Sequence, residues 1–578
     1  MASSRDPRTN RSMPVLKRLS ASTAVLLGWT MCSGAEPVQP IPSDTEIRRI
    51  LVERIDEEAR SIGIVVGVVE SGDRRVVSYG RLHAGSESRP NGDTVFEIGS
   101  ITKVFTSTVL TNFVAQGSLA FETPVQDLLG SDVRVPTRDG SEITLLHLAT
   151  HSSGLPRLPD NLDPKDPANP YADYTVDQLH AFLASHELTR DIGERVEYSN
   201  LGVGLLGHAL ARRMGTDYET LVSTQLLEPL GMVDTSIALT PLLRDRLAVG
   251  HDRALEPAAN WDLPTLAGAG ALRSTTNDLL TFVEANLDLG DSPLQQAMAE
   301  THVTQRPFPA PNMEIGLGWL IRSEHDRQII WHNGGTGGYR SFIGFDPASR
   351  SGVVVLSNTA TSVDDLGFHL LDSRFELSTP PPQRTGIEMD PVIYDEYTGR
   401  YQLAKGILAT VTQENERLFV QLTGQPRLEM IPESETSFFL RAVEAQVSFG
   451  RDDRGTVDHL VIHQNGLDQR AVRLAEGVDS VVYGPTETVS VPETTLQRYV
   501  GRYALQPGFD ITVTLNEGQL WAQVTGQQSI EIFASSETEF FYRVVDARIT
   551  FFVDGDGSAS SLALHQAGRT LSARRLPD

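Results

Sequence analysis

The chain has 578 residues, of which 40% are hydrophobic, 7% aromatic and 21% charged. That is the composition of a folded globular protein too long for one core, dividing into roughly three to five domains at about 100 to 200 residues each. Its 75 acidic and 49 basic residues give a formal charge of -26, which repels phosphate backbones and anionic bilayers and excludes nucleic acid and lipid as primary partners.

Arg5, Arg8, Arg11, Lys17 and Arg18 precede the apolar stretch ASTAVLLGWTMC, and Ser33 to Ala35 supply small residues for cleavage. This pattern predicts an export signal over residues 1–35 and a mature chain, periplasmic or extracellular, that starts near Glu36. A dozen apolar residues fall short of the roughly 20 that span a bilayer, so no transmembrane anchor is expected after cleavage. Cys32, the single cysteine, lies inside this segment. Its removal excludes disulfides, a thiol nucleophile and Cys-held metals.

Residues 44–60 carry Ile47, Ile50, Leu51 and Ile55 at helical spacing, with Asp44 as the expected N-cap. IGIVVGVVE and RRVVSYG read as two strands joined by an SGD turn. From about 100 to 300 the pattern is mostly helical with long Pro-rich loops, and strand character returns in LGWLIRS, RQIIWHN, SFIGFDP and GVVVLSN. Strands at both ends with helices between them predict one domain over 44–375, whose sheet draws on both ends of the segment.

STPPPQRTG marks a linker, 376–392, because three successive prolines fit neither a helix nor a central strand. Beyond it the chain repeats itself. YTGRY at 397 returns as YVGRY at 499, LFVQLTGQ at 418 as LWAQVTGQ at 520, SETSFFLR at 434 as SETEFFYR at 536, and HQNG at 463 as HQAG at 565, always 102 residues apart. Short alternating runs split by Gly, Asn and Asp predict two tandem antiparallel β-domains, 393–476 and 495–578, joined by a linker over 477–494.

Positive charge in this chain comes from 45 Arg and only four Lys: Lys17, Lys103, Lys165 and Lys405. Lys103 sits in the apolar segment VFEIGSITKVFTSTVL, three residues after Ser100. On a helix that spacing puts hydroxyl and amine on one face. A desolvated Lys can lose its proton and accept one from the hydroxyl, whereas Arg cannot. Chance alone predicts about 0.3 Ser-x-x-Lys matches here, so the surrounding pattern has to carry the argument. In GERVEYSNLGVGLLG, Tyr198 and Asn200 share a turn ahead of a buried helix, a phenol to pass protons and an amide to bind a substrate carbonyl. In IIWHNGGTGGYRSFIGF, His332 ends a strand before a Gly-rich run, which lets a substrate approach the backbone and leaves the Gly335 N–H free as an oxyanion donor; a plain hairpin turn is the alternative.

Taken in order, these segments resemble the penicillin-recognising serine hydrolases, most closely the class C β-lactamase branch, with its Ser-x-x-Lys, Tyr-x-Asn and Lys-Thr-Gly motifs. FEIGSITKVFT, LLHLATHSSGLP, EYSNLGVGLLG, GAGALRSTTNDLLTF and HNGGTGGYRSF look like family landmarks across about 44–375. The resemblance implies an α+β fold: a β-lactamase/penicillin-binding-protein-like domain, with an antiparallel sheet flanked by helices plus a helical region, followed here by two tandem lipocalin-like β-barrels. It makes Ser100 the nucleophile, Lys103 its proton acceptor and Tyr198 the group that protonates the leaving nitrogen. The N–H groups of Ser100 and Gly335 would form the oxyanion hole, with Asn200, His332, Asn333 and Gly334 binding substrate. Acylation and deacylation of Ser100 would need no metal or organic cofactor.

The chain departs from the family where His332, Asn333 and Gly334 replace Lys-Thr-Gly. An imidazole of ordinary pKa is only about a quarter protonated at neutral pH, which weakens the expected grip on a substrate carboxylate. His-x-Gly versions resemble D-amino-acid peptidases, and a D-aminopeptidase-like branch also carries C-terminal barrels. The expected partner is a small-molecule or peptide substrate: a β-lactam, a D-amino-acid peptide or an ester. The alternatives are a carboxylesterase on the same scaffold and a catalytically dead protein whose β-domains bind glycan or peptide.

Overall fold

The computed structural model describes residues 40–576, apart from 71, 290–291, 293, 380–383, 385, 405–406, 424–426, 441–442, 444, 465–466, 476–487, 507–508, 517, 525–528, 546, 555–556 and 567–568. The predicted export signal with Cys32 and Lys17, the three prolines of the first linker, Lys405 and much of the second linker lie outside the described residues.

α1 (Asp44–Val52) leads into β1 (Gly63–Glu70) and β2 (Asp73–Gly80), then short β3 (Val95–Glu97) and α2 (Thr102–Ala115). The helical middle includes α3 (Asn200–Met214), short β4 (Arg273–Thr275) and α4 (Thr276–Asn286). β5 (Arg306–Pro307), β6 (Met313–Ile315), β7 (Leu320–Glu324), β8 (Arg327–Gly335), β9 (Arg340–Asp346) and β10 (Ser351–Ser357) follow, closed by α5 (Asp364–Leu371). The N-cap of α1 is Ser43, one residue before the expected Asp44: its hydroxyl accepts from the Glu46 N–H, while Asp44 opens the helix.

The large sheet runs β2-β1-β10-β9-β8-β7-β6-β5. β1 pairs antiparallel with β2 on one side and with β10 on the other, Ile64 opposite Ser357. The two ends of the segment therefore meet in one sheet, as their strand patterns predict. β1 reads as a continuous apolar run because both faces are covered: Val65 and Val69 pack into a core with α2 and α4, while Ile64, Val66 and Val68 pack with α1 and α5.

The same alternation governs β8. Ile330 belongs to the α2 side, Ile329 and Trp331 to the α5 side. His332 and Gly334 thus face α2, whereas Asn333 faces α5.

Downstream, eight strands between Gly399 and Arg473 close into one antiparallel barrel, and eight between Gly501 and Arg575 close into a second. Their interiors are filled with matched aromatics. Tyr397 stacks on Phe449 at 4.3 Å between ring centres, and Tyr499 on Phe551 at 4.4 Å. Tyr401 and Tyr503 are fully buried, and each hydroxyl donates to a carbonyl four residues back, Tyr397 and Tyr499, at 2.8 Å.

Candidate active site

A tight turn at Gly99–Ile101 carries Ser100 into α2, so the hydroxyl sits at the helix start and Lys103 one turn on. Lys103 is 0% exposed. Its Nζ lies 2.8 Å from Ser100 Oγ, donates to the Ala269 carbonyl at 2.6 Å, and hangs 5.0 Å from the centre of the Tyr198 ring. Burial, helped by the charge of Arg157, pulls its pKa well below the ordinary lysine value. Burial thus favours the uncharged amine, the form whose lone pair can take the proton of the neighbouring hydroxyl.

Tyr198 hydrogen-bonds Ser100, and burial pushes its phenol up to about 12, so it holds its proton at working pH. Ser199 caps α3 by accepting from the Gly202 N–H at 2.8 Å. That cap fixes the turn and sets Tyr198 on one side and Asn200 on the other. Asn200 lines the cleft, and its Oδ1 is buried with no hydrogen-bond partner among the described residues.

Beside Ser100 two glycines come into close approach. Gly99 has φ +51, and a Cβ there would lie 2.7 Å from the Gly335 nitrogen. Only glycine lets the start of α2 and the end of β8 meet in this way, which brings the Ser100 and Gly335 backbones to the same cleft.

Three expectations for the HNG segment need correction. His332 faces the site, but it is 1% exposed, and burial together with Lys103 lowers its pKa to about 3. The imidazole is neutral instead of a quarter charged, because burial denies the cation its hydration and no carboxylate among the described residues offsets that cost. Its Nδ1–H donates to the Asn333 carbonyl at 2.6 Å, which leaves Nε2 as the nitrogen with the lone pair. Asn333 does not face substrate: its side chain donates to Asp364 at 2.6 Å, on the α5 side of the sheet. Gly334 serves packing, since a Cβ there would fall 1.9 Å from the Ile98 carbonyl oxygen.

Other residues complete the site. His151, at φ +55 and 2% exposed, lies 4.4 Å from the Tyr198 ring and accepts from the Ser199 N–H at 3.1 Å; its carbonyl accepts from the Glu197 N–H at 2.8 Å. It thereby holds the Tyr198 turn from both sides. Tyr171 and Trp261, from two loops, line the cleft with ring centres 5.4 Å apart. Buried Glu97 anchors the Trp261 loop by accepting from the Trp261 N–H at 3.0 Å, Asn260 Nδ2 at 2.9 Å and Arg273 at 3.3 Å. Arg340 packs beside Gly335 and donates to the Thr336 and Tyr339 carbonyls, both at 2.8 Å. In sequence, THSSGLP is a landmark without an assigned role, while Tyr171 and Trp261 fall in the stretch read only as helices with long Pro-rich loops; aromatics beside prolines were the available signal.

The cleft at Ser100 is narrow, about 30 Å³. A wider depression of about 550 Å³ on the first barrel, lined by Asp395, Thr398 and residues 411–416, is open and mostly polar and pairs no nucleophile with a base. Chemistry, more than volume, marks the smaller cleft as the site.

Residues 48–371 match the family described as Beta-lactamase. The chain belongs to the β-lactamase family. Residues 383–475 and 485–575 each match a domain of unknown function, DUF3471. The D-alanyl-D-alanine-carboxypeptidase/endopeptidase AmpH of Escherichia coli (strain K12) is 30% identical over 388 residues, covering 64% of this chain and 98% of that protein. Penicillin-binding protein 4* of Bacillus subtilis (strain 168) is 27% identical over 456 residues, 73% of this chain and 97% of its own length. Among solved structures, the β-lactamase/D-alanine carboxypeptidase from Yersinia pestis superposes with a TM-score of 0.51 at 26% identity, over 58% of this chain and 97% of that one. The β-lactamase domain thus accounts for the Ser100 cleft, and the repeated family for the two barrels.

Proposed function

We propose that this β-lactamase-family serine hydrolase opens amide bonds of D-amino-acid peptides or β-lactams through an acyl-enzyme on Ser100. Ser100 Oγ attacks the carbonyl carbon as its proton moves to Lys103 Nζ. The Ser100 and Gly335 N–H groups receive the developing oxyanion, and the Tyr198 hydroxyl donates to the departing nitrogen. Lys103 returns its proton to Tyr198; the neutral amine then accepts a proton from the attacking water and passes it to Ser100 Oγ as the acyl group leaves. Every step uses groups the chain itself supplies.

The observation that carries this reading is the buried Lys103 amine, 2.8 Å from Ser100 Oγ, with its pKa pulled well below the ordinary lysine value by burial. The buried, unpartnered Oδ1 of Asn200 favours an amide over a simple ester, because a substrate N–H would satisfy it and a short-chain ester would not. With His332 neutral, Arg340 beside Gly335 and exposed Arg157 over the Tyr198 ring are the cations available to a substrate carboxylate. The names of the Escherichia coli and Yersinia pestis relatives point to the same substrate class. Export, read from the basic and apolar N-terminal segment, belongs to this proposal.

Intact-mass spectrometry after exposure to a penicillin tests the chemistry: an acyl adduct on Ser100 that is absent from Ser100→Ala is expected, and turnover or an adduct unaffected by that substitution would overturn it. A panel of a chromogenic cephalosporin, a D-alanyl anilide and short-chain nitrophenyl esters tests the substrate. Ester turnover exceeding both amides by orders of magnitude would make the enzyme a carboxylesterase. Binding of glycan or peptide without turnover of any panel member would leave the dead-enzyme alternative.

A further inference from the structure

The outer wall of the first barrel carries a second serine in contact with a base. Ser448 lies on the strand Ala445–Arg451, His463 on Val457–Gln464 and Asp468 on Leu467–Arg473, three neighbouring strands of one sheet. Buried Val447 and Phe449 alternate with Ser448, and buried Leu460 and Ile462 precede His463, so both side chains point away from the packed interior. Ser448 Oγ is 2.8 Å from His463 Nε2, and His463 Nδ1 is 2.7 Å from Asp468 Oδ1. The side chains of His463 and Asp468 are 35% and 19% exposed, open enough for a reagent to reach.

The carboxylate decides the direction of this relay. A carboxylate can only accept, so His463 Nδ1 carries the proton and Nε2 presents a lone pair to the serine hydroxyl. The second barrel provides an internal comparison 102 residues on. There Thr550 Oγ1 lies 3.0 Å from His565 Nε2, and His565 Nδ1 lies 2.9 Å from Thr570 Oγ1. Thr570 can donate or accept, so it neither selects the tautomer nor offsets an imidazolium charge. The hydroxyl there is also secondary and more crowded.

We propose that Ser448, activated by His463 and Asp468, is a second nucleophilic site, selective for activated acyl and phosphoryl compounds with weakly basic leaving groups. That class follows from what the site lacks. Ser448 sits mid-strand between Ser437 and Val461, where backbone N–H groups are committed to the ladder, so among the described residues no backbone N–H of these strands is set aside for an oxyanion. An electrophile must therefore bring its own good leaving group, and the modification is stoichiometric. With an organophosphofluoridate, Ser448 Oγ forms a bond to phosphorus, the P–F bond breaks with its electron pair leaving on fluoride, and the Oγ proton passes to His463 Nε2.

The full-length Ser100→Ala protein, which lacks the competing serine, is to be treated with diisopropyl fluorophosphate and mapped by peptide mass spectrometry. Modification of Ser448 at least tenfold above exposed Ser434 and above Thr550 is expected, falling at least tenfold in Asp468→Asn and in His463→Ala. Thr550→Ser combined with Thr570→Asp should create a matching reactive site on the second barrel. Labelling of Ser448 no greater than that of Ser434, or labelling indifferent to Asp468→Asn in protein with an unchanged melting curve, would overturn the proposal. The isosteric Asp468→Asn variant keeps the test decisive should His463→Ala disturb the sheet.

Discussion

The β-lactamase domain and the barrels bury very different things. In the former, Lys103, Glu97, Arg273, His151 and His332 are all under a tenth exposed. In the latter, among the described residues, the buried polar side chains besides tyrosine are Gln402 and Thr495. Four barrel tyrosines hand their hydroxyls to backbone carbonyls, Tyr397 to Glu435 at 2.6 Å, Tyr499 to Glu537 at 3.0 Å, and Tyr401 and Tyr503 each to the carbonyl four residues back, so these polar ends are satisfied within the barrel. Around Ser100, among the described residues, a charge-capable amine has no counter-ion and an amide oxygen has no partner. Burying such groups costs stability, and they persist where an incoming substrate completes them.

The largest expected effect is that of Ser100→Ala, which should lower kcat by roughly 10⁴-fold or more with an unchanged melting temperature, measured by steady-state kinetics and calorimetry. Retained turnover would move the chemistry elsewhere and break the contrast.

Lys103→Met should cost roughly 10² to 10⁴-fold in kcat, the usual range for a lost proton acceptor, while making the protein more stable at neutral pH. The sign follows from linkage. Between the lowered folded pKa and the ordinary value near 10.4, the unfolded chain binds a proton that the folded chain does not, so stability rises with pH across that window. The methionine variant should lose this slope and gain most at the acidic end, as denaturant titrations between pH 6 and 9 would reveal. In the parent enzyme, kcat/KM should climb with pH through the lowered Lys103 pKa. With His332 near 3 and Tyr198 near 12, neither contributes a limb between pH 5 and 9; a falling limb near pH 6.5, lost in His332→Ala, would restore the charged imidazole.

Tyr198→Phe should lower kcat by roughly 10² to 10³-fold with little change in KM, and more for anilides than for nitrophenyl esters, whose leaving group needs no proton. Smallest of all, Tyr401→Phe and Tyr503→Phe should each destabilise their barrel by about 1 kcal/mol, one buried hydrogen bond. Neither should change kcat by more than about twofold, since those hydroxyls serve the barrel alone.

Much of this architecture was legible in the residues. The strands at 63–80 and within 317–358 were readable from apolar runs, and two tandem antiparallel β-domains from a repeat of constant offset, whereas the short strands at 306–307 and 313–315 were not. Ser100, Lys103, Tyr198 and Asn200 stood out by type and spacing because acid-base chemistry restricts which side chains can do the work. The HNG segment was not fully legible: alternation along β8 sends His332 to the cleft and Asn333 to Asp364, and which face is which depends on the helices packed on either side. His151, Trp261 and Arg340 escaped for a similar reason, being distant in sequence from the groups they hold.

The order of side chains along the chain determined which elements form, that they fall into one mixed domain and two repeated barrels, and which residues are chemically able to act. Tertiary structure alone decided how those residues behave. Whether Lys103 and His332 carry charge, whether Gly99 and Gly335 meet, and whether Ser448 faces a base all depend on water excluded and distances closed by segments far apart in sequence, and such environments, unlike local conformational preference, exist only once the chain has packed.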